Sequence, residues 1–152
     1  MKWMQHAAET AKRSLCLRAY CGTVIVKEGE IIGKGYNAPP LDDLNQRICL
    51  EKPSPHGKPT YDRTCCLHAE WRALFDALKN NPTKLAGSQL FFTRVDQNGE
   101  ITKSGKPYCT VCSRLSLDSG VKEFVLWHEE GIAVYTTAEY NTLSYNYIHE
   151  EK

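Results

Sequence analysis

The sequence predicts an α/β fold in which helices cover both faces of a five-stranded mixed sheet. The main observation is that helical and strand patterns alternate in the order α-β-β-α-β-α-β-β-α, with no internal repeat. The second is size, since 152 residues with 41% hydrophobic and 24% charged side chains are ordinary for one globular domain. We therefore expect a single domain spanning residues 1–152.

The first part of the chain predicts a helix, a hairpin and a long loop. Residues 3–16 place their apolar side chains on one stripe, which predicts an amphipathic helix. Residues 23–26 predict one strand and residues 31–33 begin a second, with a turn at residues 28–30 between them and the end of the hairpin at residues 35–37. Residues 38–64 form a loop with five prolines, and a loop of that length in a compact domain usually has a function.

The remaining elements follow from the same patterns. The apolar residues Trp71, Leu74, Phe75 and Leu78 have helical spacing, and a Pro at position 82 ends that helix. Residues 89–93 predict a buried strand, residues 100–107 a loop and residues 109–118 a helix. Residues 121–127 and 132–135 predict two more strands, and a capping box of Thr136 and Glu139 begins the final helix.

Composition and charge narrow the class of protein. A formal net charge of +1 and a pI of about 7.6 disfavour a nucleic-acid partner. No apolar run is long enough to cross a bilayer, and the N-terminus lacks the hydrophobic core of a signal peptide. Seven cysteines in such a chain indicate reduced thiols, so we expect a cytoplasmic protein without a membrane partner.

Two short motifs contain the predicted chemistry. His68-Ala69-Glu70 is separated by 38 residues from Cys109-Thr110-Val111-Cys112. His68, Cys109 and Cys112 supply three zinc ligands, and a catalytic zinc takes three from the protein and leaves its fourth position to water. The two cysteines lie one helical turn apart, so both sulfurs can face one side of a helix start, where the helix dipole favours thiolates. We therefore predict Zn²⁺ as the cofactor.

Glu70 has a different predicted role, as the catalytic acid and base. Two residues after His68 on a helix, its side chain points away from the ligand direction of His68. It can lie over the open zinc position, take a proton from the bound water and return it to a leaving amine. The alternatives are a structural zinc site, which usually has four protein ligands, and a redox pair, which does not require His-Ala-Glu.

Together the motifs resemble the zinc-dependent cytidine and deoxycytidylate deaminase superfamily, whose signature is H-x-E followed by P-C-x-x-C. The resemblance implies a three-layer α/β/α fold with both motifs at one edge of the sheet. It also implies hydrolytic deamination of the cytosine-type base of a free nucleotide or nucleoside, with release of ammonia. One departure is that Tyr108 separates Pro107 from Cys109, which adds one residue to the turn that contacts substrate in this superfamily.

The resemblance extends to the substrate side of the site. Gly35-Tyr36-Asn37 looks like the Gly-Tyr-Asn of deoxycytidylate deaminases, which implies that Asn37 reaches the base or a sugar hydroxyl. An Asn after a strand also commonly starts a turn. Ala69 and Tyr108 complete the predicted substrate-binding set, and the ring of Tyr108 can stack on a base.

A 5′-phosphate on the substrate requires a cationic side chain, ideally a forked Arg contact. Six residues are candidates, and each also fits an ordinary surface charge: Arg47, Lys58, Arg63, Arg72, Lys106 and Arg114. Arg72 stands two residues after Glu70, where deoxycytidylate deaminases usually have Asn.

A second metal site is a further hypothesis, based on members that this chain resembles. Its ligands would be Cys49, His56 and Cys65, with Cys66 beside them. Their irregular spacing equally fits unpaired cysteines in a packed loop.

Two other functions fit the motifs. One is deamination of a purine base, either guanine or adenine in RNA. The other is a non-enzymatic binding module stabilised by zinc, in which the protein fills all four zinc positions. For the enzyme, the resemblance implies a small-molecule nucleotide or nucleoside substrate and a homo-oligomer, because these folds often complete their pockets across a subunit contact.

Overall fold

The computed structural model describes residues 1–48 and 64–147, and its elements follow the predicted order with one addition. The helices are α1 (Lys2–Ala11), α2 (Ala69–Asn80), α3 (Thr110–Asp118) and α4 (Thr137–Tyr145). The strands are β1 (Tyr20–Lys27), β2 (Glu30–Tyr36), β3 (Gln89–Val95), β4 (Ile101–Thr102), β5 (Glu123–His128) and β6 (Gly131–Thr136).

The strands form one mixed sheet, as predicted. The strand order is β2-β1-β3-β5-β6, in which β3 and β5 are parallel and the other neighbours are antiparallel. The short strand β4 pairs with the end of β3, in a segment where the sequence predicts a loop. Two residues are too few for an alternating pattern to be visible, so only the pairing with β3 reveals this sixth strand.

Alternating side chains of the central strands divide the core between the two faces of the sheet. Val24 and Val26 of β1 pack with α1, whereas Ile25 between them packs with α2. The same alternation in β5 directs Val125 towards the α1 side and Phe124 towards the side of α2 and α4. The resulting three layers confirm the predicted α/β/α architecture.

The prediction that the first helix extends to residue 16 is wrong, because α1 ends at Ala11. The backbone N–H of Leu15 donates to the carbonyl oxygen of Asn37, and the Ser14 hydroxyl lies 2.5 Å from Asn37 Oδ1. These hydrogen bonds to the residue that follows β2 replace the hydrogen bonds of a longer helix. No local pattern in the sequence predicts them. In the described residues, no helix has the length and apolar character needed to cross a membrane.

Candidate active site

Both motifs lie at helix N-termini, which brings their side chains to one place. His68 is the N-cap of α2, and Glu70 lies in the first turn of that helix. Cys109 is the N-cap of α3, and its sulfur accepts a hydrogen bond from the backbone N–H of Cys112 at 3.3 Å. Both sulfurs therefore lie at the positive end of a helix dipole, which favours the thiolate form.

The three predicted metal ligands converge. His68 Nδ1 lies 3.2 Å from Cys112 Sγ and 3.4 Å from Cys109 Sγ, and the two sulfurs are in direct contact. All three donor atoms lie within 4.8 Å of one another. Burial lowers the pKa of His68, which favours the neutral imidazole that binds metals. One imidazole and two sulfurs are a donor set that fits zinc.

Glu70 is buried beside this donor set, with 5% of its surface exposed. Burial raises the pKa of Glu70 to about 7, although a backbone hydrogen bond acts in the opposite direction. A carboxyl group with a pKa close to neutrality can both accept and release a proton under physiological conditions. Its environment therefore suits proton transfer better than a permanent charge.

The motifs open into a cavity of about 610 Å³. Among the described residues of its wall, three are cationic, Arg18, Arg94 and Lys106, and one is acidic, Glu70. Since burial favours the neutral form of Glu70, this described part of the wall has an excess of cationic side chains. Such a cavity attracts an anionic small molecule.

The three predicted substrate residues all line this cavity: Asn37, Ala69 and Tyr108. The Asn37 side chain is extensively bonded within the protein, because Oδ1 accepts from the Ser14 hydroxyl and the Cys21 N–H, and Nδ2 donates to the Ala19 carbonyl. It thereby ties the end of β2 to the connection between α1 and β1. Its contact with substrate remains a prediction.

Tyr108 is the residue that lengthens the turn before Cys109. It is 60% exposed, and its ring makes an edge contact with Tyr147 at 4.9 Å between centroids. Beneath it, Tyr140 of α4 is buried, and its hydroxyl interacts with the backbone of Tyr108 and Cys109. Tyr140 belongs to the hydrophobic core and also lines the cavity. Burial and the nearby Glu70 raise its pKa above the usual range.

The four phosphate candidates that the structure describes have different surroundings. Lys106 lines the cavity, but Arg72 is bonded to Asp42 at 2.8 Å and Arg47 donates to the Leu15 carbonyl. Arg114 is exposed on α3 and does not line the cavity, and Lys58 and Arg63 lie outside the described residues.

Sequence reasoning missed Arg18 and Arg94, which line the cavity from the α1–β1 connection and the end of β3. The only available signal for Arg94 was its position next to a predicted strand end at residue 93. The pairing of Arg94 with Cys21 across β1 and β3 places it at the cavity.

The second metal site is only partly visible. Cys65 Sγ lies 3.9 Å from Cys66 Sγ, and the Cys66 thiol also bonds to Cys16. Burial and these neighbouring thiols raise the pKa of Cys66 above its usual range. Cys49 and His56 lie outside the described residues, so the site stays a prediction.

The fold and this centre define a class of protein: a three-layer α/β/α scaffold with a His/Cys/Cys donor set beside a buried carboxyl group. The chain belongs to the family described as the cytidine and deoxycytidylate deaminase zinc-binding region, which matches residues 1–128. This finding confirms the family that the motifs predict.

Named relatives agree with this assignment. Deoxycytidylate deaminase of Saccharomyces cerevisiae is 32% identical over 127 residues, which are 81% of this chain and 35% of that protein. Deoxycytidylate deaminase of Mycobacterium phage D29 is 30% identical over 125 residues, which are 78% of this chain and 86% of that protein. This chain thus spans about a third of the length of the yeast relative.

A solved structure is also similar, that of the dCMP deaminase of the cyanophage S-TIM5 in complex with dCMP and dUMP. The TM-score is 0.54 with 25% sequence identity, and the match covers 81% of this chain and 76% of the phage chain.

Proposed function

We propose that this chain hydrolytically deaminates the cytosine-type base of a free nucleotide, with a deoxycytidine monophosphate as the leading candidate. The observation on which this rests is the placement of Glu70, with a pKa of about 7, in the same cavity as His68 and Cys109, whose donor atoms lie within 4.8 Å of Cys112 Sγ. Membership of the deaminase family and the names of the relatives support the choice of reaction.

In this mechanism His68, Cys109 and Cys112 would hold a zinc ion, which when bound would supply an activated water as the nucleophile. Glu70 takes the first proton of the attacking water at its carboxylate oxygen and delivers it to the ring nitrogen of the base. It then takes the second proton, from the hydroxyl group now on the ring carbon, and delivers it to the amine, so that the C–N bond breaks, ammonia leaves and the carbonyl forms. The buried position of Glu70 excludes bulk water, which would otherwise compete for these protons.

The excess of cationic side chains supports a nucleotide over a nucleoside. Arg18, Arg94 and Lys106 line the cavity in which the base must reach Glu70, so a 5′-phosphate can lie against this wall. A guanidinium group can bind phosphate with two parallel hydrogen bonds, which a nucleoside does not offer.

The non-enzymatic alternative requires four protein ligands on zinc. Among residues 1–48 and 64–147, the converging donor set has three members, as an open catalytic site requires. The proposal includes self-association, supported by exposed apolar side chains on adjacent helices: Phe75 and Leu78 of α2 with Val111 and Leu115 of α3. Light scattering at several protein concentrations tests the homo-oligomer.

The test of the reaction is ammonia release by the zinc-loaded chain from a panel of compounds. The panel contains dCMP, CMP, deoxycytidine, cytidine, guanine and adenosine, and we expect the highest kcat/KM with a cytosine monophosphate. Activity confined to guanine or adenosine would instead establish the purine reaction. Zinc-loaded protein that releases no ammonia from any of them would overturn the proposal.

The role of Glu70 is tested with Glu70→Gln, which keeps the shape of the side chain and removes the proton carrier. We expect kcat to fall by about 10²–10⁴-fold while zinc content and melting temperature are retained. Glu129→Gln, at the exposed β5–β6 turn, is the matched control and should keep full activity. Substantial ammonia release by Glu70→Gln would refute the assigned role.

A further inference from the structure

We infer that Trp71 is a positioning residue that orients the His68 imidazole for metal binding. The inference rests on the metal centre of the proposed function and gives a role at that centre to Trp71, which lies outside the family signature and which the sequence pattern places only among the apolar residues of a helix.

The two rings are stacked almost perfectly. The centroids of His68 and Trp71 lie 4.2 Å apart, and their planes differ by 3°. His68 is the N-cap of α2 and Trp71 follows it by three residues, a spacing at which side chains at a helix start are neighbours. The contact is therefore built into the first turn of the helix that also holds Glu70.

At His68 the stacked indole replaces the hydrogen bond that usually fixes the ring orientation of a metal-binding histidine. In most such sites the second ring nitrogen donates to a carboxylate or carbonyl, which fixes the ring orientation. Here Nδ1 faces the two cysteine sulfurs. Within the part of the chain that the structure describes, no hydrogen bond to His68 Nε2 is present. The indole plane of Trp71 is thus the contact that limits rotation of the ring about its Cβ–Cγ bond.

Among the described residues, no polar contact holds the Trp71 indole in place. Its Nε1 is buried and has no hydrogen-bond partner among the described residues. The useful property of this side chain is therefore its flat surface, and its N–H group is dispensable. Another planar apolar ring should preserve the function, whereas a branched aliphatic side chain of similar hydrophobicity should not.

This distinction defines the experiment. Zinc affinity is measured by competition with a chromophoric chelator for the unchanged chain, Trp71→Leu and Trp71→Phe. We expect Trp71→Leu to bind zinc about 10–100-fold more weakly, the loss typical of removing support for a metal ligand. Trp71→Phe should stay close to the unchanged chain. Trp3→Leu is the matched control, because Trp3 is a half-buried indole that packs on the α1 side of the sheet, and it should not alter zinc affinity.

Two further readouts separate positioning from folding. Cobalt(II) replaces zinc in each variant, and its visible absorption should change in Trp71→Leu but not in Trp3→Leu, because the bands depend on ligand orientation. The double variant Trp3→Phe/Trp127→Phe leaves Trp71 as the single indole of a chain that contains three. Its fluorescence should change when zinc binds, since the stacked imidazole becomes a ligand.

The outcomes are separable from the proposed reaction, because no substrate is present in these measurements. Unaltered zinc affinity and cobalt spectrum in Trp71→Leu overturn the inference and leave the deaminase proposal intact. If Trp71→Leu does not fold, the double variant Trp3→Phe/Trp127→Phe still tests the inference. Trp71 fluorescence that does not change when zinc binds to this double variant overturns the inference. Normal zinc dependence without ammonia release from any substrate overturns the proposed function alone. An unchanged chain that binds no zinc overturns both.

Discussion

Gly35 of β2 lies directly against the first turn of α2, so that a Cβ atom at position 35 would overlap the carbonyl oxygen of Ala69. Ala69 stands between the metal ligand His68 and Glu70. The missing side chain of Gly35 therefore sets how closely the residues of the first motif approach the sheet. The Gly-Tyr-Asn sequence has this structural role in addition to the predicted role of Asn37.

Gly35→Ala is expected to move the first turn of α2 away from β2. The free energy of unfolding should fall by about 1–3 kcal/mol, as in other overpacked cores, and zinc affinity should fall because His68 moves relative to the cysteines. Urea unfolding and chelator competition measure the two effects. Gly105→Ala is the control, since a Cβ atom there meets none of the described residues within 4 Å. Equal stability of both variants would contradict the role of Gly35.

Thr23→Val is expected to stabilise the protein by about 1 kcal/mol. Thr23 is fully buried in β1, and its hydroxyl has no hydrogen-bond partner among the described residues, so valine removes an unpaired polar group. Thr93→Val is the matched comparison, because the Thr93 hydroxyl donates to the Met4 carbonyl at 3.3 Å and its loss should destabilise. Thermal and urea unfolding measure the change in the free energy of unfolding, which should be positive for Thr23→Val and negative for Thr93→Val. A similar loss in both variants would show that the Thr23 hydroxyl is satisfied.

Asp42→Asn is expected to lower stability by about 1 kcal/mol or less at pH 7, the range for a partly exposed ion pair. Partial burial by itself raises the pKa of Asp42, but hydrogen bonds from Tyr36 and Arg72 outweigh it and hold that pKa below its usual value. The stabilisation is therefore present above the unfolded-state pKa of about 3.8 and is lost as the pH falls through the lower folded-state pKa.

Urea unfolding of Asp42→Asn and the unchanged chain between pH 7 and pH 3 measures this difference, which should shrink towards the acidic end. Asp118→Asn, at an exposed position on α3, controls for the loss of one negative charge. A difference that grows on acidification would mean that the carboxylate of Asp42 is not the stabilising form.

Arg94→Gln is expected to lower kcat/KM for a cytosine monophosphate by about tenfold or more, the loss of one charge-assisted hydrogen bond. The corresponding nucleoside should be affected much less, because it offers no phosphate to this part of the cavity. Steady-state kinetics with both substrates measures the ratio. Arg114→Gln, outside the cavity, should leave it unchanged. An equal loss for both substrates would assign Arg94 a role other than phosphate binding.

The reactive groups of the site could be predicted from the sequence, because they lie a few residues apart within two short motifs. His68, Glu70, Cys109 and Cys112 lie in two segments of three and four residues, and each segment begins a helix. Spacing within a helical turn determines which side chains share a face, so the donor types and the candidate acid were available without coordinates. Short apolar segments bounded by turn residues likewise predicted the five main strands.

Contacts between distant segments required the tertiary structure. Arg94 reaches the cavity because β3 pairs with β1, and α1 ends early because Ser14 and Leu15 bond to Asn37, 23 and 22 residues further along the chain. The hydrogen bonds and packing contacts that cause these placements join distant segments. They leave no periodic pattern in the sequence and cannot be predicted from one. By itself, the sequence determined the order of the elements and the identity of the reactive groups. The fold decided which charges face the cavity and how the His68 ring is held, because both depend on side chains meeting across the sheet or stacking in one rotamer.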